Sequence, residues 1–154
     1  MSQTEVRTTT EEGFILPLRD DDSAGFWEGA LQGELRMQRC GGCGRLRFPP
    51  RPMCPWCHSV DSDWQVMTGR GTIWSFVTAH PPLLPAYAAL APYNVIVVAL
   101  DEDPTLRLVG NLLASKEGPI NEIDPATIAI GEPVRVVFQK IDDSTALPRW
   151  VRAG

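Results

Sequence analysis

Two C-x-x-C pairs constrain this chain more than any other feature. They are Cys40-Gly41-Gly42-Cys43 and Cys54-Pro55-Trp56-Cys57, ten residues apart, and they hold all four cysteines of the sequence. Each C-x-x-C turn places two sulfurs within bonding distance of one ion, and a tetrahedral soft cation takes four thiolates. A tight knuckle needs partly left-handed backbone, which Gly41, Gly42 and Gly44 reach at little steric cost. Pro55 stiffens the second turn.

Other chemistries are weighed against this one. Two disulfides would suit a secreted chain, but residues 1–12 are polar and lack the apolar core of a signal peptide. A thioredoxin-like redox site needs one C-x-x-C, not two. Iron in a rubredoxin-like centre uses the same four ligands and stands behind zinc as the alternative. Catalytic zinc is disfavoured, because four cysteines leave no open position for water. His58, directly after Cys57, reads as a surface residue and not as a fifth ligand.

A chain of 154 residues is one domain's worth and buries roughly two-thirds of its unfolded surface, so the metal is not its only support. The net charge of -5 opposes a general nucleic-acid binder, which needs basic surface to displace counterions. No apolar run approaches the length of a membrane span. The expectation is a soluble, cytoplasmic protein without membrane contact.

Taken in order, residues 1–13 read as a disordered tail, and 14–34 as an N-terminal segment with a helix. Within the latter, Phe14-Ile15-Leu16-Pro17-Leu18 is a short extended apolar stretch. Asp22 or Ser23 is expected to cap the helix, and Gly33 to stop it. Phe26, Trp27, Ala30 and Leu31 form its apolar face, directed at the chain's own core or at a partner subunit. Alternation at Leu35, Met37 and Arg39, and again in Arg45-Leu46-Arg47-Phe48, predicts hairpins carrying the cysteines. A zinc ribbon is therefore expected over 35–64.

The remainder, 65–154, reads as β-structure. Strands are expected at 64–67, 72–78, 94–100, 106–113 and 134–141, with an acidic turn at 101–104. The 94–100 run of Val, Ile and Ala marks a strand buried on both faces. Five such strands fit a small closed barrel, with an OB-fold as first choice. The overall class is mainly β: an N-terminal helix, a zinc ribbon and a five-stranded OB barrel.

Residues 80–93 interrupt this pattern. Pro81, Pro82, Pro85 and Pro92 bar the segment from a sheet interior, yet it is almost wholly apolar. An apolar connection this long either covers something or binds something. A lid over the barrel's open end and a surface for partner or ligand stand side by side as readings. His80 opens the segment and is assigned a structural role. No nucleophile with a plausible base, no G-x-S-x-G elbow and no phosphate loop appears, which points away from an independent enzyme.

With these features placed, the chain resembles the acyl-CoA-associated OB-fold family that carries a rubredoxin-like zinc ribbon, long filed as a domain of unknown function. The matching stretches are Phe26-Trp27-Glu28-Gly29, Gly33-Glu34-Leu35, the four cysteines, and Phe48-Pro49-Pro50-Arg51 before Cys54-Pro55. Gly69-Arg70-Gly71-Thr72, Pro92-Tyr93, the Val-rich strand ending in Leu100-Asp101, and Gly131-Glu132-Pro133-Val134 complete the set. Together they cover about 16–152.

The resemblance implies a non-catalytic subunit beside a thiolase-like protein, which would be a thiolase, a synthase or a side-chain aldolase acting on acyl-CoA thioesters. Acyl-CoA would be shared with the partner, in a hetero-oligomer. Arg45, Arg47 and Arg51 then become candidates to meet CoA phosphates. Phe26, Trp27, Phe48, His80, Leu83, Leu84, Tyr87, Pro92 and Tyr93 become candidate contacts with partner or acyl chain. The ribbon and barrel also support two competing readings. One is a nucleic-acid-binding module, opposed by the acidic charge and by the lack of lysines near Trp74 and Phe76. The other is an iron electron carrier.

Overall fold

The computed structural model describes residues 14–154, so the tail expected at 1–13 lies outside the described residues. Helix α1 (Ala24–Leu31) leads into a three-stranded sheet of β1 (Arg36–Cys40), β2 (Leu46–Arg47) and β3 (Ser62–Val66), with β1 central. A six-stranded sheet follows: β4 (Arg70–Ala79), β5 (Tyr93–Leu100), β6 (Arg107–Gly110), β7 (Leu112–Leu113), β8 (Pro133–Asp142) and β9 (Thr145–Arg152). A short helix α2 (Pro85–Ala88) sits between β4 and β5. No helix among the described residues is long and apolar enough to cross a membrane.

The start of α1 differs from expectation. Ser23 occupies the N-cap position, but its side chain makes no capping bond. Instead Asp20 accepts from the Ser23 N–H at 2.8 Å and from its hydroxyl at 2.7 Å. The Ser23 hydroxyl, and then its N–H, hold the Asp20 carboxyl below its ordinary range. The acidic run therefore organises the turn ahead of the helix, one step earlier than a capping side chain would. Gly33, at φ 77°, ends the helix as expected. Phe26 and Ala30 face inward, and the Phe26 ring lies 5.5 Å from that of Phe48. The internal reading of this helix face is the right one for these two residues.

The stretch expected as the barrel's first strand belongs to the ribbon. Trp64 pairs with Gln38 and Val66 with Arg36 in the β1–β3 register. Sequence pattern could not assign it, because a strand's partner is set by where the chain next turns. Here Gly69, at φ 79°, turns the backbone away before β4 begins.

The barrel follows OB topology. β4, β5 and β6 form an antiparallel meander, β8 and β9 a hairpin, and β9 runs parallel to β7. β4 bulges at Trp74 and pairs with β8 only over Arg70–Thr72, so one long strand serves two neighbours. The strand expected over 106–113 is broken at Asn111. Its first part pairs with β5 and its second with β9. Counted as one bent strand, β6 and β7 complete the five of an OB barrel. β9 was not expected, because Pro148 and the charges of Arg149 and Arg152 disguise a strand whose Trp150 is fully buried.

The bend at Asn111 is held by side chains acting as backbone. Asn94, fully buried, donates to the Leu112 carbonyl at 2.9 Å and accepts from the Leu112 N–H at 2.6 Å. Asn111 in turn donates to the Asn94 carbonyl at 2.6 Å. One apolar cluster then runs without interruption through helix, ribbon and barrel, including Phe26, Met37, Ile73, Ile96, Leu112 and Trp150. Asn94→Ala is expected to lower stability by about 2–3 kcal/mol, because two buried backbone groups of Leu112 lose their partners. Urea unfolding followed by tryptophan fluorescence checks it, and a loss below about 0.5 kcal/mol would show that the barrel closes without this amide.

Candidate functional site

Two hairpin knuckles place the cysteines. In the first, the Gly44 N–H donates to the Cys40 carbonyl at 3.0 Å. In the second, the His58 N–H donates to the Cys54 carbonyl, also at 3.0 Å. The residue after each pair is left-handed, Gly44 at φ 74° and His58 at φ 64°. This explains His58, which is exposed and is a turn residue in the wrong chemical form for its backbone. At Gly42 a Cβ would meet the Ser59 Cβ at 2.9 Å and the Cys57 Sγ at 3.1 Å, so the knuckles approach too closely there for any side chain.

The four sulfurs lie within 4.8 Å of one another. Cys40 Sγ to Cys57 Sγ is 3.4 Å and Cys43 Sγ to Cys54 Sγ is 3.7 Å. Zn–S bonds of about 2.3 Å in a tetrahedron require sulfurs about 3.8 Å apart, so the set fits such an ion with shifts of about 1 Å or less. Disulfides are excluded by the same distances, since an S–S bond is about 2.05 Å. The Cys43 and Gly42 N–H groups donate to the Cys40 sulfur at 3.4 and 3.3 Å. The Cys43 N–H leads in pulling the Cys40 thiol down to about 6, against the opposing effect of burial. At Cys57 the Ser59 N–H lowers the thiol, but the Cys40 sulfur and burial together push it up to about 11. Four sulfurs this close cannot all carry charge without a cation between them. Cys40 and Cys54 are buried while Cys43 and Cys57 are exposed, so the site lies at the edge of the ribbon.

The candidate arginines separate into different environments. Arg47 is only 3% exposed. Its Nε donates to the Gln38 Oε1 at 2.8 Å and its Nη2 to the Arg51 carbonyl at 3.0 Å. It braces the ribbon beneath the cysteines and does not meet a phosphate on the surface. Arg45 is exposed and lies over the Trp56 ring at 5.1 Å, beside Asp103 and Thr105 of the barrel. Arg51 is exposed, and its backbone anchors Gln38. Phe26 is withdrawn into the core with Phe48 packed against it, so Phe26 is corrected from a partner contact to a core residue.

The apolar segment 80–93 is neither wholly lid nor wholly surface. His80, Leu84 and Pro92 are exposed, whereas Leu83, Tyr87 and Tyr93 are half-buried. The Tyr87 ring lies 5.8 Å from Phe14 and 6.2 Å from Tyr93, and its hydroxyl accepts from the Ile15 N–H at 3.3 Å. The N-terminal stretch and the loop thus meet over one end of the barrel. Beneath them is a cavity of about 520 Å³ whose lining includes Phe14, Trp27, Tyr87, Tyr93, Val95 and Arg149. Trp27, half-buried, lines this cavity. Sequence reasoning missed Arg149, because nothing in a lone arginine inside an unrecognised strand signals burial.

A tetrathiolate ribbon packed on an OB barrel through a shared helix defines a zinc-ribbon/OB-fold protein. Residues 27–61 match the family described as "ChsH2, rubredoxin-like zinc ribbon domain", and 64–139 match "ChsH2, C-terminal OB-fold domain". A "DUF35 domain-containing scaffold protein" of Methanothermobacter thermautotrophicus is 31% identical over 108 residues, 70% of this chain and 73% of that protein. A solved structure described as "Ltp2-ChsH2(DUF35) aldolase" is 37% identical, superposes with a TM-score of 0.76 and is covered completely, over 90% of this chain. The chain belongs to the DUF35 family, with the zinc-ribbon and OB-fold domains of the ChsH2 type. It is also 36% identical, over 132 residues, to the "3-oxo-4,17-pregnadiene-20-carboxyl-CoA hydratase alpha subunit" of Mycobacterium tuberculosis. That match takes in 86% of this chain but 38% of the relative's length, so the chain spans well under half of that longer protein.

Cys54→Ser should unfold the ribbon, because apparent metal binding in such sites contributes on the order of 10 kcal/mol to folding. Loss of bound metal with a lower melting temperature is the expected result. His58→Gly should instead stabilise by about 1 kcal/mol by relieving the left-handed strain. An unchanged or lower melting temperature for that variant would show the strain is not stored there.

Proposed function

We propose that this chain is a non-catalytic accessory subunit of an acyl-CoA-processing complex. Its partner is a thiolase-fold enzyme, which is a thiolase, a synthase or a side-chain aldolase, and the small chain stabilises it and helps form its CoA and acyl site. The observation that carries this reading is the likeness, over 90% of this chain, to the structure described as an "Ltp2-ChsH2(DUF35) aldolase". Zinc is the ion assigned to the four cysteines, held by all four sulfurs and structural in role, and the cytoplasm is the assigned compartment.

The surface supports a subunit. Trp74 and Val77 on β4 and Val109 on β6 are each at least half exposed, as is Leu84 on the loop. On the sheet Val77 pairs with Val95 and Val97 with Val109, so the apolar positions adjoin across β4, β5 and β6. A partner that buries such a face gains about 25 cal/mol per Å² of apolar area. Arg51, Pro92 and His80 remain exposed and available to a partner or to CoA.

One observation favours the nucleic-acid reading. Arg107 lies over the Trp74 ring at 3.7 Å, a pairing that cross-strand geometry creates and the linear sequence conceals. A single stacked pair on a chain of net charge -5 is a weak basis for binding a polyanion.

The test is co-expression with a thiolase-like protein encoded beside this gene, followed by gel filtration and metal analysis. A stable complex with one zinc per small chain is expected. A small chain that elutes alone, and shifts single-stranded oligonucleotide in a salt-dependent way, would overturn the proposal. Within a complex, Val77→Ser with Leu84→Ser should weaken association at least tenfold, about 1.4 kcal/mol. Stability of the isolated chain should change by only about 0.5 kcal/mol per site, since both side chains are exposed. The opposite ranking would make these residues internal packing.

A further inference from the structure

Arg149 has a placement that folding alone does not explain. It is 7% exposed and lines the cavity under residues 14–17 and the 80–93 loop. A guanidinium carries five N–H donors. Here Nε donates to the Gln139 Oε1 at 3.3 Å and Nη1 to the Asn111 Oδ1, both neutral amides. Nη2 is buried and has no hydrogen-bond partner. Among the described residues no carboxylate pairs with Arg149. A buried charge ordinarily carries a counter-charge, because its desolvation is otherwise uncompensated. Burial lowers the Arg149 pKa to about 10, which still leaves it cationic at neutral pH.

The surroundings define what would complete it. Among the described residues no other one that lines the cavity is charged, so the site matches a single negative charge and not a polyanion. Phe14, Trp27, Tyr87 and Tyr93 supply aromatic walls, with the Phe14 ring 5.0 Å from the Arg149 guanidinium carbon. The volume of about 520 Å³ lies in the range of small-molecule sites. The planar fork of a guanidinium suits a carboxylate, whose two oxygens accept side by side. We infer that this cavity is a binding site for a monocarboxylate with a bulky apolar body, whose negative charge balances that of Arg149 in the cavity wall. The site lies within this chain, so the inference stands or falls apart from the identity of any partner.

The test uses the full-length, metal-loaded chain and calorimetric titration with 2-naphthoate, with neutral 2-naphthylmethanol as its control. Wild type should bind the carboxylate at least tenfold more tightly than the alcohol. Arg149→Met, checked for native near-UV circular dichroism, should bring the two affinities together, and Arg149→Lys should restore part of the difference. Val109→Trp, at the exposed rim, should weaken naphthoate at least tenfold while leaving Arg149 in place. It decides the matter if Arg149→Met fails to fold. Equal affinities in wild type, an unchanged preference in Arg149→Met, or unchanged naphthoate affinity in Val109→Trp would each overturn the proposal. So would inorganic phosphate displacing naphthoate at equal concentration, because a bare anion site needs no apolar body. Binding that appears only after deletion of residues 1–12 would overturn it too.

Discussion

Asn94 is fully buried, and its amide replaces a stretch of missing ladder by bonding both the N–H and the carbonyl of Leu112. The third barrel strand must change partner in mid-course, from β5 to β9, and the change leaves backbone groups exposed inside a closed barrel. A buried amide without a partner costs more than the bend itself. Asn94 removes that cost, and Asn111 ties the two positions together. The Asn111 oxygen then accepts from Arg149, and the Asn111 carbonyl accepts from the Trp150 N–H at 3.0 Å. Barrel closure, burial of Trp150 and placement of the cavity's single charge thus descend from one bend.

The ribbon solves the same problem by different means. It is too small to have a core of its own, and it gains one by sharing Leu35 and Met37 with helix and barrel. Its remaining polar interior is organised by Gln38, which joins Arg47, Arg51 and Ser62 from both sides of the second knuckle. The four cysteines, placed so that they could hold a metal ion, lie at the outer edge. Metal and core are therefore complementary supports. The ribbon's inward face is held by the hydrophobic effect and its tip by coordination.

The two ends of the molecule suit different tasks. The ribbon tip carries the four cysteines and exposes Met53 and Trp56. At the far end of the barrel, residues 14–17 cross the 80–93 loop, and Tyr87 links them through Phe14, Ile15 and Tyr93. That end holds the cavity and adjoins the apolar sheet face through Val95 and Val109. The exposed apolar face and the cavity are thus contiguous.

The four-cysteine cluster was legible in the sequence because chelation imposes a local spacing. Two C-x-x-C turns bring their sulfurs together whatever fold surrounds them. The strands of the barrel were mostly legible for a similar reason, since alternation and β-branched runs are local consequences of a pleated sheet. Partnership was not local. Gln65 and Val66 paired with the ribbon and not the barrel, Leu112 left its hairpin for β9, and β9 hid behind Pro148 and two arginines. Arg47 and Arg149 show the limit most clearly. Arg47 was a surface candidate and Arg149 carried no signal along the chain, yet both are buried, because only tertiary packing decides which side of a strand lies against a neighbour. The sequence by itself determined the metal chemistry, the β class and the order of the parts. The tertiary structure decided which arginine supports the ribbon and which stands alone in a cavity, since burial is a property of the assembled surface and not of any residue's neighbours in sequence.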